Sequence, residues 1–268
     1  MLKSPDFNQL IEARDGYMLY NVNDSYIGKA IEAYGEFSGL EFNLLQQLCA
    51  AGDVVIEVGS NIGAHTVGLA KAVGPNGRVI AFEPQRIAFQ TLCANMAINS
   101  LTNVDCHWSA AGTSKGSILV PEIDPRKPNN FGGVSLINSS RGTKVPCIRL
   151  DDLEDITRLR LIKIDVEGME ADVIRGASQL IEKFKPCLYV ENDRIDSSEA
   201  LMRLIDSLGY QMYWHTPPLF NPENFFGKTE NIYPNIVSLN MLCLHKDVPA
   251  KVEGIAQITD FQSHPMKR

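Results

Sequence analysis

Apolar runs and amphipathic segments alternate along most of the chain. Residues 54–56 read Val-Val-Ile and stop where glycines begin, as expected for a buried parallel strand. The next segment presents one helical face to a core and ends at Gly74-Pro75; this face carries Ile62, Thr66, Leu69, Ala70 and Val73. Such alternation predicts an α/β fold, with a mostly parallel sheet and helices on both faces.

The same pattern predicts the other elements of the sheet. Further strands are expected at residues 78–82, 103–108, 161–165, 187–190, 210–215 and 236–245. Helices between them are indicated by helical spacing at Phe89, Leu92, Cys93 and Met96, and again at Met169, Val173, Ala177, Leu180 and Phe184. Asp196-x-x-Glu199 is expected to cap a further helix, which Gly209 ends.

Three parts of the chain are distinguished by these patterns. Residues 1–50 form an N-terminal extension, with a hairpin that turns at Asp15-Gly16 and a helix opened by the capping box Ser38-x-x-Glu41. Residues 51–246 form the main domain, interrupted at 112–149 by a polar segment with strand-like pieces at 116–120 and 143–148. Residues 247–268 form a C-terminal tail with little pattern.

The turn after the first strand of the main domain predicts a nucleoside site. It reads Glu57-Val-Gly-Ser-Asn-Ile-Gly63, in which Gly59 and Gly63 permit a tight turn and a close approach to a ligand. Glu83 ends the next strand, about twenty residues further on, where an acid accepts hydrogen bonds from two ribose hydroxyls. An adenosine-type cofactor is therefore expected.

The charge of this turn favours S-adenosylmethionine. A pyrophosphate needs bare amides at a helix N-terminus, and the Glu57 carboxylate would repel it. The sulfonium and ammonium groups of S-adenosylmethionine would be attracted instead. An NAD-dependent oxidoreductase and a glycine turn without a ligand remain the alternatives. The expected cofactor-binding residues are Glu57, Gly59, Asn61, Gly63, Glu83, Pro84, Ser109 and Asp165.

Acids also follow the later strands, where ligands of open α/β sheets bind. Asp165 with Glu167, and Glu191 with Asn192, stand at two of these strand ends. Asp165 or Glu191 would serve as a general base, and Asp165, Glu191 and Asn192 would together suit a divalent metal, as in metal-dependent catechol-type O-methyltransferases. A third interpretation is that Asp165 and Glu167 only cap the helix that follows them. His215 is a further candidate base or a packed histidine.

Four segments together resemble the FkbM family of S-adenosylmethionine-dependent methyltransferases. They are the turn at residues 57–63, Ala81-Phe-Glu-Pro84, Leu150-Asp-Asp-Leu153 and Ile162-Lys-Ile-Asp-Val-Glu-Gly168. The resemblance implies a class I methyltransferase fold, which is a Rossmann-like seven-stranded sheet with one antiparallel strand. It also implies methyl transfer to a hydroxyl of a sugar, glycolipid or polyketide. The chain departs from the family at Glu57, where most members have Asp, and at Ser60, where many have Ala.

An aromatic and amide-rich loop is a candidate wall for such an acceptor. Residues 216–235 contain Phe220, Phe225 and Phe226 beside Asn221 and Asn224, and residues 129–133 add further amides and glycines. Flat apolar faces beside amides would suit a polyhydroxylated small molecule or glycan. An ordinary surface loop is the alternative reading.

Composition narrows the classes of partner. The net charge is −7 and no basic run exists, which argues against a nucleic-acid partner. No apolar stretch reaches membrane-spanning length and no signal pattern opens the chain. Six scattered cysteines without a C-x-x-C pair predict reduced thiols and a cytoplasmic protein. A catalytically silent methyltransferase fold that serves as an interaction module is the remaining alternative function.

Overall fold

The N-terminal extension is a hairpin followed by two helices. The computed structural model describes residues 6–133 and 141–267. The extension contains β1 (Asn8–Ala13), β2 (Gly16–Asn21), α1 (Ile27–Tyr34) and α2 (Gly39–Leu48). The hairpin prediction is confirmed, although Gly16 already pairs with Ala13, so that the turn residues are Arg14 and Asp15.

The predicted capping box at the start of α2 is wrong. Ser38 has a left-handed backbone with φ of 47° and caps no backbone N–H. Its hydroxyl instead donates to the Glu41 carboxylate at 3.0 Å. The reason is that Glu41 is buried, with an exposed fraction of only 4%, and turns toward the interior rather than back to its own helix.

A seven-stranded sheet forms the centre of the main domain. In chain order its first half is β3 (Val54–Val58), α3 (Thr66–Val73), β4 (Arg78–Phe82), α4 (Arg86–Ile98) and β5 (Val104–His107). A small second sheet follows, made of β6 (Ala110–Ala111), β7 (Gly116–Val120) and β8 (Thr143–Ile148). The second half of the main sheet is β9 (Leu161–Ile164), α5 (Glu170–Gly176), α6 (Ser178–Phe184), β10 (Cys187–Glu191), α7 (Ile195–Ser207), β11 (Tyr210–His215) and β12 (Asn240–His245).

The strand order is β11-β12-β10-β9-β3-β4-β5, and all strands are parallel except β12, which runs antiparallel to both neighbours. The mostly parallel sheet with one antiparallel strand is therefore confirmed. After β3 the chain continues to β4, on one side of the sheet, and after β9 it continues to β10, on the other side. The strand order therefore reverses between β3 and β9, and ligands of such sheets bind in the crevice at this point.

Several predicted boundaries differ from the structure. The helix expected across 169–184 is interrupted at Ala177 and forms α5 and α6. α7 begins at Ile195, so Asp196 lies in its first turn rather than capping it. The last strand begins at Asn240 instead of residue 236, because Ile236 and Val237 pair with the loop at Pro218 and Leu219 instead of with the sheet. None of the helices within residues 6–133 and 141–267 is long and apolar enough to cross a bilayer.

The turn after β3 requires a glycine at position 59. Gly59 has φ of 86°, and a Cβ atom there would lie 1.7 Å from the carbonyl oxygen of Asp165. The turn and the end of β9 are thus in direct backbone contact, which only glycine permits.

We therefore expect Gly59→Ala to lower the free energy of unfolding by at least about 3 kcal/mol, since left-handed strain and a backbone clash add together. Urea denaturation measures this loss. Gly116→Ala is the control, because nothing lies within 4 Å of its added Cβ atom, and it should stay within about 0.5 kcal/mol of wild type. Equal stability of the two variants would contradict the packed turn.

Candidate active site

A cavity of about 590 Å³ opens at the carboxyl ends of β3, β4, β9 and β10. Its floor includes the turn residues Gly59, Ser60 and Asn61. The N-terminal extension contributes Tyr26, Ile27 and Phe37 to the wall, and residues 236–240 contribute another part. The location agrees with the ligand crevice of an open α/β sheet.

Most of the sequence-predicted site residues meet in this cavity. It is lined by Glu57, Gly59, Asn61, Glu83, Pro84, Asp165 and Glu191. Two predicted cofactor residues lie outside the lining, which are Gly63 and Ser109. A Cβ atom on Gly63 would meet Leu92 at 2.8 Å, so this glycine serves helix packing, and Ser109 is buried with an exposed fraction of 6%.

Asn192 and His215 also lie outside the cavity lining. The Asn192 amide donates to the Ser198 hydroxyl at 2.9 Å and contacts the Met241 sulfur at 3.3 Å. The structure therefore does not bring Asp165, Glu191 and Asn192 together as a metal site. His215 Nδ1 lies 2.8 Å from the Tyr189 hydroxyl, and burial lowers the pKa of this histidine.

The aromatic loop at residues 216–235 faces the N-terminal extension rather than the cavity. Phe220 packs against Tyr34 with ring centroids 5.4 Å apart, and the Asn221 amide donates to Glu36 at 2.8 Å. Phe225 and Phe226 crowd against Gly35. From this loop only Leu219 lines the cavity, so its aromatic and amide side chains do not form the expected acceptor wall.

A buried ammonium group lies beneath the cavity. Lys163 is only 2% exposed, and its Nζ atom donates to Asp165 at 3.0 Å. Burial by itself lowers the pKa of Lys163, but the carboxylates of Asp165, Glu41 and Glu57 outweigh it and raise the pKa above its ordinary value. Lys163 is therefore a permanent cation that neutralises part of an acidic site.

Glu57 is held beside this cation by strand pairing. It lies opposite Lys163 in the register of β3 and β9, and it accepts a 2.5 Å hydrogen bond from the Thr66 hydroxyl. Burial raises the pKa of Glu57, while Lys163 and the Thr66 hydroxyl partly offset the rise. An additional cationic group in the cavity would be stabilised by this carboxylate.

Glu83 is fixed by two backbone amides. One carboxylate oxygen accepts from Asn61 N–H at 2.8 Å and the other from Gln85 N–H at 2.7 Å. Burial nevertheless raises the pKa of Glu83 to about 7. The carboxylate therefore has a defined orientation in the cavity before any ligand binds.

Asp165 and Glu191 are neighbouring acids whose pKa values shift in opposite directions. Burial raises the pKa of Asp165, but Lys163 and the Glu191 carboxyl outweigh burial and leave the pKa below its ordinary value. Burial raises the pKa of Glu191 well above its ordinary value, and the Asp165 and Glu167 carboxylates add to the rise. Asp165 is thus the stronger acid of the two, and Glu191 holds a proton more tightly.

Two further carboxylates line the cavity beside this pair. One oxygen from each of Glu167, Glu191 and Asp193 lies within 4.8 Å of the others. Glu167 also accepts a 2.8 Å hydrogen bond from Arg194, and burial followed by the Asp165 charge raises the pKa of Glu167 to about 7. The carboxylates on this side of the cavity raise the pKa values of Glu167 and Glu191.

Sequence analysis gave Lys163 no role in the site, placed Glu41 only in a capping box, and favoured a packed or solvated histidine over a cofactor contact for His65. The signal for Lys163 was present, since a lysine interrupts the apolar strand at 161–164. His65 is 6% exposed, and its Nδ1 atom lies 3.9 Å from Glu41. Glu41 and His65 come from elements separated along the chain, and no local pattern indicated that they would meet.

Replacing the buried ammonium should strongly destabilise the fold. We expect Lys163→Met to lower the free energy of unfolding by about 3–5 kcal/mol at pH 7, because the buried carboxylates lose their counter-charge. The loss should shrink at pH 5, where more of these carboxylates are protonated. Urea denaturation measures the loss, with Lys251→Met, at an 83% exposed lysine, as the control. A loss below about 1 kcal/mol for Lys163→Met would contradict the role of Lys163 as the counter-charge of the buried carboxylates.

The raised pKa of Glu83 predicts a pH dependence of stability. Between its ordinary value of 4.5 and its folded value of about 7, the folded state retains a proton that the unfolded state has released. The free energy of unfolding therefore falls as pH rises through this window, by about 3 kcal/mol from this residue. Glu83→Gln should remove that part of the slope, whereas Glu253→Gln, at a 73% exposed glutamate, should keep the wild-type slope in urea titrations.

The chain is similar in sequence to known methyltransferases. The chain is 27% identical over 143 residues to Methyltransferase 1 of Beauveria bassiana, which covers 46% of this chain and 57% of that protein. It is 28% identical over 139 residues to the hexuronic acid methyltransferase AglP of Haloferax volcanii, which covers 52% of this chain and 56% of that protein. The chain thus spans little more than half the length of these curated relatives.

A solved structure of methyltransferase FkbM from Methylobacillus flagellatus KT matches 71% of this chain and 43% of its own, at 19% identity and a TM-score of 0.44. The model of the methyltransferase FkbM domain matches residues 57–212, which is more than half of the 268 residues. This match includes the glycine turn, Glu83, Lys163, Asp165 and Glu191. The chain belongs to the FkbM methyltransferase family.

Proposed function

We propose that this protein transfers the methyl group of S-adenosylmethionine to a hydroxyl of an uncharged sugar-like or polyketide-like small molecule. The observation that carries the proposal is the acidic cavity, in which the glycine turn and the Asp165–Glu191 pair adjoin. When bound, the cofactor supplies a methyl group activated by its sulfonium. The family match decides against the oxidoreductase alternative, and the carboxylates at the turn are unfavourable for a pyrophosphate.

The residues of the cavity suit this cofactor. Glu83, oriented by the amides of Asn61 and Gln85, would accept hydrogen bonds from ribose hydroxyls. Glu57 would neutralise the positive charge of the methionyl part. Gly59 lets the turn pack directly against the Asp165 backbone, which brings Asp165 beside the cofactor turn.

Asp165 is the proposed proton acceptor. A bound cofactor would supply the methyl group to an acceptor hydroxyl, and holding the two in line would supply most of the rate enhancement. Asp165, which accepts from the Lys163 ammonium at 3.0 Å, would take up the hydroxyl proton and release it to water.

The charge of the cavity favours an acceptor without an acidic group. Glu167, Glu191 and Asp193 gather on one side, Lys163 is already bound to Asp165, and Arg194 is bound to Glu167. The relative AglP is named for methylation of a hexuronic acid, which supports a sugar-like acceptor. A uronate carboxylate would nevertheless be repelled here, so a neutral hydroxyl compound is proposed.

Asp165→Asn separates binding from chemistry. S-adenosylhomocysteine affinity, measured by calorimetry, should stay within about twofold of wild type, while kcat falls by about 10²–10⁴ because the base is lost. The assay follows radiolabelled methyl transfer to small polyols, extracted glycans and glycolipids. Full activity of Asp165→Asn would remove the base role.

Two outcomes of these binding and transfer measurements would contradict the proposed function. The first is NAD binding without any S-adenosylhomocysteine binding. The second is methyl transfer to a protein or nucleic-acid nitrogen with no hydroxyl acceptor found. Activity in EDTA distinguishes a metal-free mechanism, and loss of activity that Mg²⁺ restores would assign a metal to the carboxylates of Glu167, Glu191 and Asp193.

A further inference from the structure

The patternless C-terminal tail docks on the edge of the main sheet. Ile258 N–H donates to the Met212 carbonyl of β11 at 2.8 Å, and Gln257 pairs with Tyr213. Ile258 is only 7% exposed and joins the core cluster that includes Met212. Phe261 also packs against this core. The chain then returns to the carboxyl end of the sheet, where His264 lies beside Asn192.

His264 connects the tail to the acidic side of the cavity. Its side chain is buried, with an exposed fraction of 3%, and its ring packs edge-on against Trp214 at 5.1 Å. Nε2 lies 2.9 Å from the carbonyl oxygen of Asn192. Asn192 stands between Glu191 and Asp193, both of which line the cavity.

The hydrogen bonds of His264 fix its tautomer. Nδ1 lies 3.1 Å from the backbone N–H of Met266, and this N–H is a donor, so Nδ1 must be the acceptor. The proton is therefore on Nε2, which donates to the Asn192 carbonyl. One neutral imidazole thus joins the loop after β10 to the backbone of Met266.

Met266 completes the cavity wall. It lines the cavity although it is 55% exposed, and Val237 and Leu239 add apolar surface to the same lining. A flexible thioether side chain adapts to irregular apolar faces. An apolar wall together with the carboxylates of Glu191 and Asp193 suits a neutral ring that has hydroxyls on its rim and an apolar face, such as a pyranoside.

We propose that Met266, held in place by the docked segment 257–266, forms part of the wall of the acceptor site and contacts the acceptor, and that His264 is a positioning residue for the Glu191–Asp193 segment. The inference rests on the proposed function, because it names the surface that receives the hydroxyl compound. It assigns acceptor recognition to the tail instead of the aromatic loop at 216–235.

Methionine-methyl NMR tests the contact directly. The chain has eight methionines, and Met266→Leu assigns the Met266 signal in protein labelled with carbon-13 at the methionine methyl groups. With S-adenosylhomocysteine present at saturation, methyl β-D-glucopyranoside and octyl β-D-glucopyranoside are the neutral probes, and methyl glucuronoside is the charged one. The Met266 signal should shift with a neutral probe and remain unmoved by the charged one. A Met266 signal that neither neutral probe moves overturns the proposal.

Variants then measure the contributions of the two residues. Met266→Ala should weaken binding of the responding neutral probe by about 10-fold, the low end of the range for an apolar pocket contact, and Met266→Leu should restore most of it. His264→Ala should weaken probe binding similarly and broaden the Met266 signal. His264→Gln, which keeps a donor and an acceptor, should recover part of this loss.

Matched controls separate this proposal from the proposed function. Lys267→Ala alters the neighbouring exposed residue, which does not line the cavity, and should bind the probe as wild type does. S-adenosylhomocysteine affinity should be unchanged in all of these variants, and a loss in Met266→Ala would instead assign Met266 to the cofactor. Unchanged probe binding by Met266→Ala would contradict the proposal that Met266 forms part of the acceptor wall. Absence of S-adenosylhomocysteine binding by the wild-type protein would contradict the proposed function instead.

Discussion

The buried ammonium of Lys163 is the interaction on which the site depends. Pairing of β9 with β3 places Lys163 opposite Glu57, and the same side chain donates to Asp165 at the end of its own strand. Because side chains alternate along a strand, a register shift by one residue would move Lys163 to the other face of the sheet. Strand register and site charge are therefore one constraint, which neither strand satisfies alone.

The acids of the cavity differ in proton affinity because their neighbours differ. Asp165, in direct contact with Lys163, has a lowered pKa, whereas Glu191, surrounded by other carboxylates, has a strongly raised one. For Glu83, two backbone amides only partly offset burial. Chemically similar carboxylates in one cavity thus have different proton affinities.

The sequence was sufficient for features that follow local rules. The glycine turn, Glu83 and the alternation of strands and helices depend on spacing within one β/α unit, and these were predicted. Contacts between distant segments were not predictable from pattern. The phenylalanines at 220, 225 and 226 indicated a binding wall by composition, yet their partner is the N-terminal extension. Met266 carries no periodic signal, since its place follows from the His264 contact with Asn192.

Docking of the tail also has a consequence for association between molecules. β11 is the outermost strand on its side of the sheet, and an uncovered edge offers free backbone groups to a strand of another copy. Pairing of Tyr213 with Gln257, together with the Ile258 bond to Met212, occupies part of that edge. Gln257 and Ile258 therefore reduce the edge that is available for aggregation with another copy. A version of the protein that lacks residues 257–267 would lose solubility as well as part of the cavity wall.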